Sequence, residues 1–251
     1  MQDKPVALVT GANQGIGLQI AKDLTAKGFT VLLGSRNMQR GEAAAKEVGP
    51  NALALQLDVT DLASITAAAE RVRKEFGRLD VLIQNAAITT TSDRVQTPKE
   101  YVTAHRPSIV SLDEMRAIWD TNVFGVLAVY QAMVPILRDT PNSRIVNVSS
   151  GAGSLTLASD PNSPMRAFFD TTYSASKTAL NGLTVAMAIE LEADGIKVNA
   201  VSPGYTKTKL NGFAGTDTLE EGAAEAVRVA LLGSEGPTGT FTHATLGTIP
   251  W

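Results

Sequence analysis

The stretch TGANQGIG, residues 10–17, follows a short apolar run (VALVT, 6–10) and precedes a segment with helical periodicity. Its glycines, Gly11, Gly15 and Gly17, permit a tight turn, the approach of a phosphate to the N–H groups at a helix start, and packing of that helix on a sheet. This order of strand, glycine turn and helix predicts a nucleotide-binding unit. The alternative is a glycine-rich turn that binds no ligand.

Outward from this unit, short apolar runs alternate with helical segments along the whole chain. Strands are predicted at 6–10, 30–34, 52–57, 80–84, 144–149, 197–202 and 239–243. Helices are predicted at 15–27, 39–48, 62–76, 112–137, 172–194 and 219–232. Nearly continuous apolar strands that alternate with helices are typical of a parallel sheet covered on both faces. We therefore predict an α/β fold, a Rossmann-type doubly wound sandwich of about seven parallel strands with three helices on each face, as a single domain over residues 1–251.

The predicted helix ends carry suitable capping residues. The N-caps are expected at Asp61, Ser111 and Thr218, and the left-handed residues after helix ends at Gly28, Gly77, Gly195 and Gly233. Two segments, 88–110 and 151–171, do not fit the alternation and are predicted to be irregular. Both follow strands at the carboxyl edge of the sheet, where open α/β sheets bind ligands. We expect them, with 204–216, to form the substrate loops.

Composition excludes several classes of function. The 251 residues carry a net charge of −3 without a block of like charge, so no nucleic-acid or membrane-surface arm is expected. Apolar runs such as GVLAV from Gly125 are too short to span a bilayer, and the start MQDKP carries no export signal. We expect a cytoplasmic protein. With no cysteine and two histidines, no metal site is expected.

The pattern Thr-Gly-x-x-x-Gly-x-Gly at residues 10–17 resembles that of the short-chain dehydrogenase/reductase family, and further motifs resembling those of the family follow in order. The resemblance implies that Asn13, Gln14 and Ile16 join the three glycines in binding a dinucleotide. In GSRN (34–37), no carboxylate is present for a ribose 2′-hydroxyl, whereas Arg36 could pair with a 2′-phosphate. This favours NADP(H), with Ser35 as a second donor. The alternative is a solvated surface arginine.

Three further motifs extend the expected cofactor site. In LDVTD (57–61), Asp58 would accept from the adenine amino group and Val59 would pack on the ring, unless Asp58 only forms the turn. In QNAAI (84–88), Asn85 and Ala86 match the family, with Asn85 in a supporting role, whereas Gln84 and Ala87 depart from its pattern. SPGYTKTKL (202–210) resembles the segment after the sixth strand, with a plain turn at Pro203–Gly204 as the alternative. There Thr206 would meet the nicotinamide carboxamide and Thr208 the cofactor phosphates.

Tyr173 and Lys177 are four residues apart on a predicted helix and so share one face. An ammonium beside the phenol should lower its pKa toward neutral pH, where general acid–base catalysis works best. The alternative is a core tyrosine with a solvated lysine. The resemblance adds Ser150, rather than Ser149, as the residue that binds the substrate carbonyl, and Asn122 of TNVFG as the residue that kinks its helix and holds a proton-relay water. It also makes Tyr173 and Lys177 cofactor contacts.

These motifs imply hydride transfer from NADPH to a small-molecule carbonyl, an aldehyde, ketone or quinone, with Tyr173 as proton donor. The carbonyl-reductase group is the nearest resemblance, because TGANQGIG, Arg36, SPGYTKTKLNG, EGPTGTFTH with the final tryptophan, and the long gap before Tyr173 are similar to it. Alcohol oxidation and a non-catalytic NADP(H) sensor are the alternatives. No sequence feature specifies the substrate.

Ser150 and Tyr173 are 23 positions apart, which indicates an insertion around ASDPNSPMRAFF (158–169). We expect this segment to form a pocket wall and to obstruct a helix that relatives use for oligomers, which favours a monomer, although a dimer or tetramer is not excluded. Aromatic and sulfur-containing side chains in the loops favour an apolar substrate: Met165, Phe168, Phe169, Tyr205 and Phe213. Phe168 and Phe169 could equally anchor the loop.

Overall fold

One eight-stranded sheet forms the centre of the molecule in the computed structural model, which describes residues 4–92 and 97–251, except for the side chain of Pro98. The strands are β1 (Val6–Val9), β2 (Thr30–Ser35), β3 (Ala52–Gln56), β4 (Val81–Gln84), β5 (Arg144–Val148), β6 (Lys197–Ser202), β7 (Phe241–His243) and β8 (Gly247–Thr248). Their order is β3-β2-β1-β4-β5-β6-β7-β8, with seven parallel strands and an antiparallel β8 at the edge. The strand order reverses between β1 and β4, which opens a crevice at the carboxyl edge.

Helices cover both faces of the sheet. They are α1 (Gly15–Ala26), α2 (Met38–Val48), α3 (Leu62–Glu75), α4 (Pro98–Ala104), α5 (Leu112–Trp119), α6 (Gly125–Arg138), α7 (Leu155–Ser159), α8 (Tyr173–Glu190) and α9 (Leu219–Ala230). Buried side chains of α3, α6 and α8 form one core with the sheet, and those of α1, α2 and α9 form the other. The prediction of a doubly wound fold with three helices on each face is therefore confirmed.

The prediction of one helix over 112–137 is refined by a π-helical turn at Asp120–Phe124, which lies between α5 and α6. Over Leu112–Arg138 the described chain contains one helical stretch that is long and apolar enough to cross a membrane, with a mean hydropathy of 1.3 in its most apolar window. Its continuous apolar runs are short, as the sequence indicated, because polar residues such as Asn122 and Gln131 interrupt them. Side chains such as Val129 and Met133 are fully buried against the sheet, which accounts for the apolar sequence.

The two segments predicted to be irregular contain helices. Thr97 caps α4 by accepting from the N–H of Glu100, and the Glu100 carboxylate accepts from the Thr97 N–H, a capping box with proline at the first helical position. In the second segment Ser154 caps α7 by accepting from the N–H of Leu157. The prediction for 88–110 and 151–171 was therefore wrong in part, because cap signals were overlooked. Residues 93–96 of the first segment lie outside the described residues.

The other helix ends mostly follow the expected chemistry. The side chains of Asp61, Ser111 and Thr218 accept hydrogen bonds from the N–H groups of Ala63, Glu114 and Glu221. Gly28, Gly77 and Gly195 have positive φ, as predicted for residues after helix ends. Gly233 does not have positive φ, so that part of the prediction was wrong, because α9 ends at Ala230 and its C-cap is Leu231.

Candidate active site

The glycine turn after β1 is shaped by backbone conformation and by lack of space. Gly11 and Gly15 have φ values of 64° and 59°, in the left-handed region that favours glycine. Gly17 leaves no room for a side chain, because a Cβ there would lie 2.5 Å from Asn85 Nδ2 and 2.7 Å from the Gly11 carbonyl oxygen. The turn therefore presents bare backbone at the start of α1, where a phosphate can bind.

Asn85 braces this turn from the end of β4. Its Nδ2 donates to the carbonyl oxygens of Thr10 (2.9 Å) and Gly11 (3.2 Å). The backbone N–H groups of Asn85 and Ala86 donate to Thr10 Oγ1 at 2.9 and 3.0 Å. The structure thus places Asn85 and Ala86 against the glycine turn, where Asn85 supports its shape.

A cavity of about 420 Å³ lies beside the glycine turn. It is lined by Asn13, Gln14, Arg40, Ala43, Ala44, Glu47 and Lys209. Arg36 is exposed at the end of β2, and neither Arg36 nor Arg40 has an ion-pair partner within 4–92 and 97–251. Ser35 is buried and its hydroxyl donates to the Asn37 carbonyl oxygen at 2.8 Å, so its proton is used within the turn.

Arg40 and Lys209 were missed in the sequence. Arg40 follows Arg36 by four positions, in the first turn of α2, and this spacing could have indicated a second cation at the same end of the site. Lys209 comes from a distant loop, and no local pattern relates it to the glycine turn.

Asp58 and Val59 lie where β3 leads toward α3. One carboxylate oxygen of Asp58 accepts from the N–H and the hydroxyl of Thr60 at 3.0 and 2.7 Å. Asp58 therefore forms the turn, as in the alternative that the sequence left open, and its second oxygen remains able to accept from a ligand. The side chain of Val59 is 9% exposed.

Ser150, Tyr173 and Lys177 come together at the carboxyl end of β5. The Ser150 hydroxyl lies near enough to the Tyr173 phenol to lower its pKa, and it accepts from the Ala152 N–H at 3.2 Å. Lys177 Nζ donates to the Val148 carbonyl oxygen at 2.8 Å and lies 5.6 Å from the centre of the tyrosine ring. Ser149 is buried instead, and its hydroxyl donates to Asn181 Oδ1 at 2.6 Å. Of the two serines, Ser150 is the one beside the tyrosine.

The protonation states of this pair differ from the sequence expectation. Burial raises the pKa of Tyr173 to about 12, opposed by the Ser150 hydrogen bond and assisted by the charge of Asp170. Burial lowers the pKa of Lys177 to about 7. The expected lowering of the tyrosine pKa by lysine was therefore wrong for the protein by itself, because desolvation by burial dominates the pKa of both groups.

Asn122 lies in the π turn and is fully buried. Its Oδ1 accepts from the Ile88 N–H at 2.9 Å, and its Nδ2 donates to the Ile88 carbonyl oxygen at 2.9 Å and to Ser176 Oγ at 3.0 Å. The side chain thus connects the segment after β4 to α8, the helix that carries Tyr173 and Lys177. A π turn at this point matches the kink expected for Asn122.

The loop after β6 approaches the glycine turn. Gly204 has φ of 74°, and Thr206 Oγ1 donates to the Pro203 carbonyl oxygen at 2.8 Å. Thr208 is nearly buried, and its Cγ2 lies 3.8 Å from the position a Cβ would take on Gly15. The structure therefore brings Thr208 to the phosphate-binding turn, whereas Pro203 and Thr206 shape the loop.

The 151–171 segment lies against the loop that carries Ser150. Met165 Cε is 3.9 Å from a Cβ placed on Gly151, beside Ser150. Phe168 is 50% exposed, which does not fit a loop anchor, whereas Phe169 is half-buried. Exposed Tyr205 and Phe213 belong to the loop after β6. The described residues contain no group of three side chains suited to a metal ion.

Comparisons with known proteins show the family of this chain. A model of the short chain dehydrogenase family matches residues 5–218, most of the chain. The chain belongs to the short-chain dehydrogenase family. A short-chain dehydrogenase of Penicillium roqueforti is 35% identical over 240 residues, covering 92% of this chain and 90% of the relative.

Two solved structures show the same family fold. The structure of salutaridine reductase from Papaver somniferum superposes with a TM-score of 0.79 and 28% identity, covering 95% of this short-chain dehydrogenase and 99% of that chain. The 3-ketoacyl-(acyl-carrier-protein) reductase from Brucella melitensis, complexed with NADH, gives a TM-score of 0.78 and 25% identity, covering 97% and 98%.

Proposed function

We propose that this short-chain dehydrogenase reduces the carbonyl group of a small apolar molecule with NADPH. The observation that carries the proposal is that Ser150, Tyr173 and Lys177 meet at the carboxyl end of β5, with buried Lys177 Nζ 5.6 Å from the tyrosine ring and Ser150 near enough to lower the tyrosine pKa. Two hydroxyl donors at one point of the carboxyl edge can bind one carbonyl oxygen and stabilise the negative charge that develops on it. The similarity to two proteins named as reductases supports the same direction.

The residues at the other end of the site fit a phosphorylated dinucleotide. The glycine turn offers backbone N–H groups at the start of α1, and Asn13 and Gln14 line the cavity beside it. Arg36 and Arg40 would hold a 2′-phosphate there, because both cations lack an ion-pair partner in the described chain. When bound, the nicotinamide cofactor supplies the hydride that reduces the carbonyl carbon. The relative from Brucella was solved with NADH, so the preference for NADPH depends on these arginines.

Tyr173 would donate the proton to the substrate, and Lys177 would bind the ribose of the cofactor. A phenol whose pKa is about 12 is protonated at neutral pH, as a proton donor to the nascent alkoxide must be. Lys177 has a pKa of about 7, and its Nζ uses one of its N–H bonds on Val148, which leaves others for ribose hydroxyls. Asn122 fixes the π turn beside them, and its part in a water relay stays a prediction.

The substrate would be bound between the segment 151–171 and the loop after β6. Met165 beside the Ser150 loop and exposed Phe168, Tyr205 and Phe213 offer apolar and aromatic surface. We therefore expect aldehydes, ketones or quinones with an apolar body. A cytoplasmic location and a monomeric state also stay predictions.

The test is NADPH oxidation by the purified protein over a panel of aldehydes, ketones and quinones, with NADH in parallel. We expect turnover of at least one apolar carbonyl and a preference for NADPH. Arg36→Ala should weaken NADPH binding more than NADH binding, by ~1.5–3 kcal/mol, as for the loss of a charged hydrogen bond. Arg116→Ala, which removes an exposed helix arginine, is the matched control. Equal weakening of both cofactors by Arg36→Ala would refute the 2′-phosphate role.

A further inference from the structure

The carboxylate of Asp170 lies at the start of the helix that carries the proton donor. Asp170 is 4% exposed. Its Oδ1 accepts from the Thr172 N–H (2.8 Å), the Thr172 hydroxyl (2.7 Å) and the Tyr173 N–H (2.8 Å). Its Oδ2 accepts from the Ser174 N–H (3.1 Å) and the Ser174 hydroxyl (2.8 Å). All five donors belong to three consecutive residues, with Tyr173 in the middle.

These contacts hold the first turn of α8, whose formal N-cap, Thr172, makes no capping bond of its own. A negative charge is favourable here because the free N–H groups and the helix dipole both attract it. Both carboxylate oxygens are used, whereas an asparagine offers one acceptor oxygen. Burial of the charge is thus offset by five hydrogen bonds, and no described cation forms an ion pair with it.

The same carboxylate joins Tyr173 to the other substrate segment. Thr172 Oγ1, which donates to Asp170, lies 3.1 Å from the Tyr101 hydroxyl on α4. Tyr101 in turn donates to the Thr89 carbonyl oxygen at 2.9 Å, in the segment after β4. On the other side, the Thr171 N–H donates to the carbonyl oxygen of His105 at 3.2 Å. The position of Tyr173 is therefore coupled to both predicted substrate segments through Asp170 and its neighbours.

We propose that Asp170 is a positioning residue for Tyr173: its carboxylate sets the place of the tyrosine at the first turn of α8, and its negative charge disfavours the phenolate form. This inference rests on the proposed function, because it assigns Tyr173 as proton donor. It goes further in one respect, since a fixed negative charge beside the donor raises the pH at which the phenolate, the proton acceptor in alcohol oxidation, forms.

The electrostatic effect of Asp170 on Tyr173 depends on burial and on the other charged groups near these two residues. Desolvation is the main cause of the raised pKa of Tyr173, and the charge of Asp170 adds to it. Asp170 likewise adds to the desolvation that raises the pKa of Tyr101. Other titratable side chains in this part of the described chain are His105 directly after α4, Glu114 from α5 and Lys177 from α8. A charged Lys177 opposes Asp170, and among the described carboxylates Glu114 also raises the pKa of Tyr101.

The test removes the negative charge at residue 170 but keeps a side chain that can cap α8, in the variants Asp170→Asn and Asp170→Ser. Carbonyl reduction with NADPH and oxidation of the alcohol product with NADP are measured against pH. Without the charge the phenol loses its proton more readily, so the alkaline fall of reduction and the acid fall of oxidation should both move to lower pH, by roughly half a unit or more. Asp61→Asn, the same change at the exposed cap of α3, should move neither.

Carbon-13 NMR of the tyrosine Cζ atoms follows the titration of the Tyr173 phenol without catalytic turnover. The Tyr173 signal is the one that is missing from the spectrum of Tyr173→Phe. If the wild-type protein reduces no carbonyl, the proposed function fails. The electrostatic role of Asp170 is supported even then if the Tyr173 signal titrates at lower pH in Asp170→Asn than in wild type. Unmoved pH profiles and an unmoved signal in folded variants would overturn the inference. If neither variant folds, as judged by near-UV circular dichroism, Asp170 serves the fold alone and the inference is overturned as well.

Discussion

The glycine turn at residues 10–17 and the segment before Tyr173 lie at the same edge of the sheet. Backbone geometry determines the shape of the first, whereas side-chain hydrogen bonds determine that of the second. Gly11 and Gly17 are fixed by φ and by the closeness of backbone and Asn85 atoms, so glycine is required there. Around Tyr173, the side chains of Asp170 and Thr172 make the decisive contacts. Glycines required by backbone geometry leave a spacing pattern in the sequence, whereas contacts between distant side chains, such as that of Thr172 with Tyr101, do not.

The two regions also differ in the changes that they should tolerate. Backbone geometry at the glycine turn admits no added atom, so a change there should act on folding and cofactor binding together. At the substrate end, the Tyr173 hydroxyl can be removed while the ring and the helix remain, so this change should act on chemistry.

Tyr173→Phe should reduce kcat for carbonyl reduction by about 10²–10⁴-fold, because the variant lacks the proton donor. The affinity for NADPH should change little, since the ring and the helix remain. Steady-state kinetics and fluorescence titration with NADPH measure the two quantities. Tyr130→Phe, which removes a buried hydroxyl from α6 away from the site, should retain full activity. If Tyr173→Phe kept wild-type kcat, the tyrosine would have no role in proton transfer.

Gly17→Ala should destabilise the fold by about 1–3 kcal/mol and weaken NADPH binding, because its Cβ would overlap Asn85 Nδ2 and the Gly11 carbonyl oxygen. Gly182→Ala is the matched control. Gly182 lies within α8 with nothing within 4 Å of an added Cβ, and helix propensity predicts a gain of roughly 0.5–1 kcal/mol. Urea unfolding of both variants checks the prediction. Equal effects would mean that the turn is less tightly packed than the structure shows.

Lys177→Met should stabilise the protein in the absence of ligand while abolishing most activity, because a buried ammonium is costly. Burial lowers the pKa of Lys177 from 10.5 to about 7. Below pH 7 the lysine is charged in both folded and unfolded states, and the penalty is complete. Between about pH 7 and 10.5 only the unfolded state holds the proton, so wild-type stability rises with pH and the advantage of the variant shrinks.

Thermal unfolding against pH, without cofactor, measures this difference. A melting-temperature difference that is largest at or below pH 7 and declines toward pH 10.5 is expected. A difference independent of pH would show that Lys177 is not the group whose charge is suppressed. Lys4→Met, which changes an exposed lysine hydrogen-bonded to Asn51, provides the control.

Hydrophobic period and glycine spacing are local, so the sequence was sufficient to predict the seven parallel strands and the six covering helices but not β8, and the pairing of Ser150 with Tyr173 came from the family resemblance. Helix α4 was also readable from the capping box of Thr97 and Glu100, but it was overlooked. The link from Asp170 through Thr172 to Tyr101 could not be read, since Tyr101 reaches Thr172 only in the folded chain. The pKa of Tyr173 was mispredicted for a related reason, because desolvation depends on the folded surroundings.

Transfer of deuterium from NADPH tests the central claim most directly. NADPH labelled at C4 of the nicotinamide, on one face or the other, is supplied with the best carbonyl of the panel, and the alcohol product is analysed by mass spectrometry. Direct hydride transfer to the carbonyl carbon predicts one deuterium per product molecule from one of the two labelled faces. Alcohol product that carries no deuterium from either labelled cofactor would contradict the proposed reaction.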